Sequence, residues 1–212
     1  LDDPEEVIRR QSALLAALAQ TGLAYGRDEF DHERYRQVRE AAANLMDLVT
    51  TDSVPALNRT TIPDRGYATP KVDVRGALFD EDDRVLLIQE RSDLRWTLPG
   101  GWCDVGESAG EAVCREVREE SGLAVRAERL AAVLDRERRG HRPPMAVHVY
   151  KLFFLCERCP EPERAPHALE TADVGWFPLD ALPELSISRV TADELHLLHD
   201  LHREPSGPAV FD

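Results

Sequence analysis

The chain has little that would carry it into or across a membrane. No apolar run in its 212 residues approaches the ~20 needed to span a bilayer. The opening segment, LDDPEEVIRR, is acidic and lacks an apolar core, so it does not read as a secretory signal. Positive charge is also scarce. Lys and Arg number 26 against 40 Asp and Glu, a formal net charge of −14. That balance excludes binding to duplex nucleic acid or to an anionic membrane by electrostatics alone. An anionic substrate is likewise repelled unless a metal ion or a local arginine intervenes. Cysteine is sparse, with four residues at 103, 114, 156 and 159, too few for a disulfide framework in a chain of this size. Cys156 and Cys159 have C-x2-C spacing, yet no second pair completes four ligands. Incidental thiols are the preferred reading over half a zinc site or a redox pair. A reducing, cytoplasmic setting is the simplest one. There is no internal repeat.

At 42% hydrophobic and 31% charged, the chain is long enough for one substantial core plus a smaller module. Asp3-Pro4-Glu5-Glu6 reads as a helix start, with Val7, Ile8, Leu14, Leu15 and Leu18 marking an apolar face to about Gln20. Thr21-Gly22 is expected to end it. A second helix is expected from Asp31, with Tyr35, Val38, Ala42, Leu45 and Val49 at helical spacing. Residues 1–50 therefore read as an antiparallel helical pair too small to fold well alone, expected to pack on the larger domain or on a partner subunit, with a homodimer as the expected assembly. Residues 51–70 contain Pro55, Pro63, Gly66 and Pro70 without a period, and read as a linker. The main domain is expected over residues 71–205, followed by a tail at 206–212. Strands are expected at Val72–Phe79 and Arg84–Gln89 around the turn Asp80–Asp83, then at Ala131–Leu134, Val147–Leu155 and Val174–Phe177. Thr191 and Glu194 have capping-box spacing and should open a closing helix. Strands on either side of a central helix, with another at the end, give an α/β/α sandwich.

The most informative stretch is GWCDVGESAGEAVCREVREESGL, Gly101 to Leu123. Ser108 and Glu111 form a capping box, so a helix should begin near Ala109, and Gly122 supplies the left-handed residue that ends it. Within that helix Glu116, Glu119 and Glu120 are three and four residues apart and project from one patch. Three carboxylates on one patch repel at neutral pH and call for a cation. Hard oxygen donors suit Mg2+, with Mn2+ as the alternative. Arg115 lies four residues before Glu119 and can hold it. Ala112, Val113 and Val117 give the helix its buried side. The plain alternative is a solvated helix with Glu111–Arg115 pairing.

As fixed positions the stretch is G-x5-E-x7-R-E-U-x-E-E-x-G-U, where U is a bulky aliphatic. Gly101, Glu107, Arg115, Glu116, Val117, Glu119, Glu120, Gly122 and Leu123 fill every slot. In this it resembles the signature of the Nudix hydrolases. AQTGLAYGRDEFDHERYRQVREAAANL, from Ala19, is similar to the helical domain of one bacterial Nudix subgroup that includes CDP-choline pyrophosphatases. TPKVDVRGALF from Thr69, WTLPGGWCDVGES from Trp96, YKLFFLC from Tyr150 and LPELSISRVT from Leu182 extend the likeness over nearly the whole chain. ERCPEPERAPH, Glu157 to His167, departs from the subgroup in being Pro-rich.

The resemblance implies a Nudix α/β/α sandwich with a mixed sheet, preceded by a small N-terminal helical module. It also implies hydrolysis of nucleoside diphosphates linked to another moiety X. Glu116 and Glu120 match the principal metal ligands, Glu119 ligates or bridges through water, and Gly101 adds a backbone carbonyl. Glu107 matches a residue that positions Arg115. A further acid from a later loop is expected, and Glu170 is the candidate, against a solvated loop glutamate. Glu119 or Glu170 serves as the base that accepts the proton of the attacking water.

Three other residues are candidate substrate contacts. Trp96 and Trp102 flank the Leu98–Gly101 loop, placed to stack on a base or a choline-like cation, or else to pack in the core. Arg75, on a strand, could reach a phosphate. Arg136, Arg138, Arg139 and Arg142 form a basic loop that steers an anionic substrate or is simply solvated. His141 and His148 fall in no metal-ligand pattern and are assigned no metal role. The expected substrates are CDP-alcohols or nucleotide sugars, cut to a nucleoside monophosphate and phospho-X. ADP-ribose or a dinucleotide is the alternative. A ligand-sensing regulator on the same scaffold is a further alternative, disfavoured by the complete motif and the acidic N-terminal module.

Overall fold

Asp3 caps the first helix, its carboxylate accepting the Glu5 N–H at 3.2 Å, with Pro4 in the first turn. The computed structural model describes residues 3–49, 66–143, 145, 147–162, 165–166 and 170–212. Most of the expected linker and part of the Glu157–His167 loop (Glu163, Arg164 and His167) lie outside the described residues. The chain forms two compact units, Leu1–Pro70 with Pro143–His148, and Lys71–Arg142 with Val149–Asp212.

In the first unit, α1 (Pro4–Tyr25) and α2 (Glu29–Leu48) pack together. Helix α1 does not stop at Thr21-Gly22 as expected but runs to Tyr25, and Gly26 closes it. The reason is tertiary. A Cβ at Gly22 would lie 2.4 Å from the Tyr35 ring, so this glycine is the place where the two helices meet. Helix α2 begins two residues earlier than expected, because Asp28 accepts the Phe30 N–H and serves as its cap. Leu14, Leu18, Phe30 and Leu48 are each more than half exposed on this pair.

The second unit is built on a mixed five-stranded sheet, β4-β1-β6-β5-β8, and a three-stranded antiparallel sheet, β3-β2-β7. The strands are β1 (Lys71–Ala77), β2 (Val85–Glu90), β3 (Trp96–Thr97), β4 (Gly100–Trp102), β5 (Val125–Asp135), β6 (Val149–Arg158), β7 (Thr171–Phe177) and β8 (Val210–Phe211). Between β1 and β2 Asp80 accepts the Asp82 and Arg84 N–H groups and makes the expected turn. The segment 206–212, expected as a tail, contains β8, which pairs parallel with β5 through Val210 and Phe211.

Helix α3 (Ala109–Ser121) has both capping-box bonds from Ser108 and Glu111, and ends at Gly122 with φ +79°. Helix α4 (Ala192–Arg203) has the same box at Thr191 and Glu194. The two helices pack on separate cores. Val74, Leu78 and Leu86 meet Ala112, Val113 and Val117 of α3. Ala77, Leu87, Leu134 and Phe153 meet Leu195, Leu198 and Leu201 of α4. The result is an α/β fold with helices on opposite sides of the sheets. Strand β1 lies between β4 and β6 and is buried on both faces, as Val74, Arg75, Gly76 and Ala77 all show.

Candidate active site

The loop from Leu98 to Gly101 is fastened to β1 by the register Val74 to Gly101 and Arg75 to Gly100, and by the Gly76 N–H donating to the Pro99 carbonyl at 2.9 Å. Gly100 has φ +146°, and a Cβ there would lie 2.0 Å from the Val74 carbonyl oxygen. No side chain fits. This close approach lets the Gly100 N–H donate to Glu120 Oε2 at 2.7 Å. At Gly101 a Cβ would lie 2.9 Å from Glu116 Oε1, so the bare backbone makes room for that carboxylate.

On α3, the burial of Ala112, Val113 and Val117 fixes the direction of the acids. Glu120 is only 6% exposed. Burial pushes its carboxyl up to about 8, opposed by Arg75 and the Gly100 N–H, and assisted by Glu90 and Glu116. Burial also raises Glu116, against the pull of Arg115. Glu119 is half exposed.

Arg115 ties these groups to the preceding loop. Its Nε and Nη2 donate to the two carboxylate oxygens of Glu107 at 3.1 and 2.7 Å, a forked pair. Its Nη1 donates to Glu116 Oε1 at 2.9 Å and Glu119 Oε2 at 3.2 Å. Glu107 also accepts the Asp104 N–H at 2.8 Å, which closes the loop. The hydrogen bond from Arg115, followed by that from Asp104, holds the Glu107 carboxyl below its ordinary range.

The other candidates are placed differently. Arg75, expected at a phosphate, is 4% exposed and engaged inward. It forks onto Asp73 at 2.9 and 2.8 Å and donates to the Leu98 carbonyl at 3.1 Å. Lys151 Nζ donates to the same Asp73 at 2.6 Å. Burial alone would raise Asp73, but Arg75 and Lys151 together hold it well below the usual carboxylate range. Arg75 thus supports the loop from beneath. Trp96 packs edge-on against Phe177, with ring centroids 4.6 Å apart, and belongs to the core on the α4 side. Trp102 is 42% exposed and remains available to a ligand. Glu170 is exposed beside β2, its backbone carbonyl accepting the Arg91 N–H at 2.9 Å.

The arginine run after β5 is not one solvated face. Arg136 is buried and donates to the Ser188 carbonyl and to Glu137, and Arg139 pairs with Asp212. His141 is buried between the Ile187 carbonyl and Glu194. The four thiols are free, and burial pushes Cys156 up to about 12.

Sequence reading missed two features. One is the buried Asp73–Lys151 pair, which only the parallel pairing of β1 with β6 brings together. The other is Glu90, at the end of the apolar strand VLLIQE, 9% exposed and paired to Arg189 at 2.9 Å. An acid in step with Leu86 and Ile88 on a buried strand was the available signal.

The donor set suits a hard divalent cation, since it is made of carboxylate oxygens with Glu120 withdrawn from water. The Gly101 cradle for Glu116 fits the same purpose. Among the described residues no three His, Cys, Asp or Glu side chains already converge on one point. Arg115 Nη1 instead stands between Glu116 and Glu119 as their counter-cation.

Comparison with known proteins gives family matches over both the helical and the catalytic segments. The family profile described as NUDIX domain matches residues 69–201, and one described as UDP-X-like, N-terminal oligomerisation domain matches residues 8–60. The Bacillus subtilis (strain 168) protein YjhB, whose name gives it provisionally as an ADP-ribose pyrophosphatase, is 38% identical over 93% of both chains. A crystal structure of an ADP-ribose pyrophosphatase from Streptococcus suis 89-1591 is 41% identical, with TM-score 0.60, over 68% of this chain and 100% of that one. A crystal structure of a UDP-X diphosphatase is 28% identical, with TM-score 0.61, over 98% of this chain and 99% of that one. No helix among the described residues is long and apolar enough to cross a membrane. With the motif intact on α3 and the family profile covering most of the second unit, the chain belongs to the Nudix hydrolases and carries the UDP-X-like N-terminal oligomerisation domain.

Proposed function

We propose that the protein is a Mg2+-dependent pyrophosphohydrolase, with Mn2+ able to substitute, acting on nucleoside diphosphates linked to X. CDP-alcohols and nucleotide sugars are the substrates we favour, cut to a nucleoside monophosphate and phospho-X. The observation that carries this reading is the buried Glu120 carboxylate against the Gly100 N–H, with Glu116 and Glu119 beside it and Arg115 locked by Glu107. The likeness to a UDP-X diphosphatase over nearly the whole of both chains supports the substrate class.

Glu116, Glu119, Glu120 and the Gly101 carbonyl would hold the metal. When bound, a divalent cation neutralises charge gathering on the phosphoryl oxygens and lowers the pKa of a bound water. The chain supplies the rest. Arg115 and Glu107 keep the carboxylates aimed, and Arg75 steadies the loop through the Leu98 carbonyl. Glu119, half exposed, or Glu170 takes the proton of the attacking water. Trp102 offers an exposed ring to the base or to X. The N-terminal helices, with Leu14, Leu18, Phe30 and Leu48 exposed, support assembly as a homodimer.

A second reading, ADP-ribose as substrate, is favoured by the names of the Bacillus and Streptococcus relatives. A substrate panel in Mg2+ decides between them: CDP-choline, CDP-ethanolamine, UDP-sugars, ADP-ribose and NADH, with release of nucleoside monophosphate as the readout. Glu120→Gln should lower kcat by about 10²-fold or more with the fold retained. Unchanged turnover in that variant would sink the assignment.

A further inference from the structure

A cavity of about 360 Å³ lies along β7, lined by Arg91, Pro166, Thr171, Ala172, Asp173 and Val174. Its size is that of an ordinary small-molecule site. Three segments of the chain meet there. Arg91 follows β2, and its N–H donates to the Glu170 carbonyl at 2.9 Å, so the cavity adjoins that acid. Val174 also packs in the cluster that contains Val113 and Val117 of α3, so one wall rests on the core beneath the acidic helix. Pro166 belongs to the Pro-rich segment after β6. That segment is fastened near its start. The Cys159 N–H donates to the Ala124 carbonyl at 2.8 Å, and Arg118, the residue before Glu119, donates to Glu161 at 2.8 Å.

The polar groups on the walls are open. Thr171 is 4% exposed, yet its hydroxyl has no hydrogen-bond partner among the described residues. Buried hydroxyls are nearly always paired, so one left open at a cavity wall points to a ligand. Arg91 is exposed, and among the described residues its guanidinium takes part in no ion pair. Asp173 Oδ1 accepts the Val174 N–H at 2.8 Å, which leaves Oδ2 for a further donor. Arginine donates, a carboxylate accepts, and a threonine hydroxyl does both. That mixture matches ring hydroxyls, each of which also donates and accepts. Pro166, Ala172 and Val174 offer apolar surface to the C–H face of a ring. A choline-like cation is recognised by aromatic faces. No aromatic residue lines this cavity, and Arg91 repels a cation.

We propose that this cavity is the subsite for X and that X is a sugar, hydrogen-bonded by Arg91, Thr171 and Asp173 and packed on Pro166. The proposal rests on the pyrophosphohydrolase reading above and narrows it, toward nucleotide sugars or ADP-ribose and away from CDP-alcohols. The Pro-rich segment, which departs from the subgroup, then acts on specificity through Pro166.

Steady-state kinetics of the full-length protein in Mg2+ test this, with UDP-glucose, ADP-ribose, CDP-choline and CDP-ethanolamine as substrates. A sugar-bearing compound should have the highest kcat/KM. Thr171→Val, which keeps the side-chain shape and removes the hydroxyl, should raise KM for that compound about 10-fold, and so should Arg91→Ala, with kcat retained. Inhibition by the nucleoside monophosphate product, which fills the other half of the site, should be unchanged in both. Thermal unfolding without ligand should show no loss of stability in Thr171→Val, since the hydroxyl has no partner in the protein to lose. A CDP-alcohol as the best substrate, wild-type KM in both variants, or an equal weakening of inhibition by the nucleoside monophosphate overturns the proposal and leaves the hydrolase standing. A wild-type protein that cuts no compound of the substrate panel removes the hydrolase reading, and this proposal with it.

Discussion

The Gly100 N–H and the Glu120 carboxylate are joined by a 2.7 Å hydrogen bond across twenty residues of chain. Gly100 can make it only because its φ of +146° and its missing Cβ let the loop press onto β1. The loop and the acidic helix are thereby tied directly to each other.

Gly100→Ala should therefore act on stability and turnover together. The strained backbone and the 2.0 Å clash with the Val74 carbonyl should cost about 2 kcal/mol or more. Urea unfolding and steady-state kinetics on one preparation check this, and a stable, fully active variant would refute it.

Arg115→Lys should lower kcat/KM by about 10-fold or more, because an ammonium cannot fork onto Glu107 while bridging Glu116 and Glu119. Glu107→Gln should show a smaller loss. The double variant should be little worse than Arg115→Lys, since both act on one contact. Fully multiplicative losses would mean that the two residues work separately.

Asp73→Asn leaves Arg75 and Lys151 buried without their shared anion and should cost about 3–5 kcal/mol at neutral pH. The folded Asp73 lies below its ordinary 3.8, so its contribution is complete above that value and is lost only as pH falls through the lower folded one. Chemical denaturation from pH 7 downward should show the wild type and the variant converging below about pH 4. A gap that stays constant to pH 2 would count against this.

Gly22→Ala offers a sign test in the helical pair. In an open helix the change gains about 1 kcal/mol. Here the new Cβ meets the Tyr35 ring at 2.4 Å, and a loss of about 1–3 kcal/mol is expected. In a Tyr35→Ala background the sign should reverse, as thermal unfolding of the two pairs would show.

The two tryptophans should separate cleanly. Trp96→Ala removes a core ring and should cost about 2–3 kcal/mol of stability. Trp102→Ala should leave stability within about 0.5 kcal/mol and raise KM for the best substrate of the panel.

Much of this was legible in the chain because it is local. Capping boxes at Ser108–Glu111 and Thr191–Glu194, the stop at Gly122, and the spacing of Glu116, Glu119 and Glu120 are relations within a single helix, where backbone geometry dictates which side chains are neighbours. Five of the eight strands among the described residues followed from their apolar runs, whereas the short β3, β4 and β8 did not. Gly22 misled for the complementary reason: its role depends on Tyr35, on a different helix.

The remainder was decided by tertiary structure. Parallel pairing of β1 with β6 joins Asp73 to Lys151, and bonds to Asp73 and the Leu98 carbonyl hold Arg75 inward from the phosphate contact the sequence suggested. The folding of the 182–190 segment onto β3 brings Arg189 to Glu90 across nearly a hundred residues. Burial, not residue type, sets Glu120 apart from the neighbouring and half-exposed Glu119. Residue spacing along one helix determined which acids stand together. Contacts between distant strands and loops determined which of them are desolvated and which are anchored.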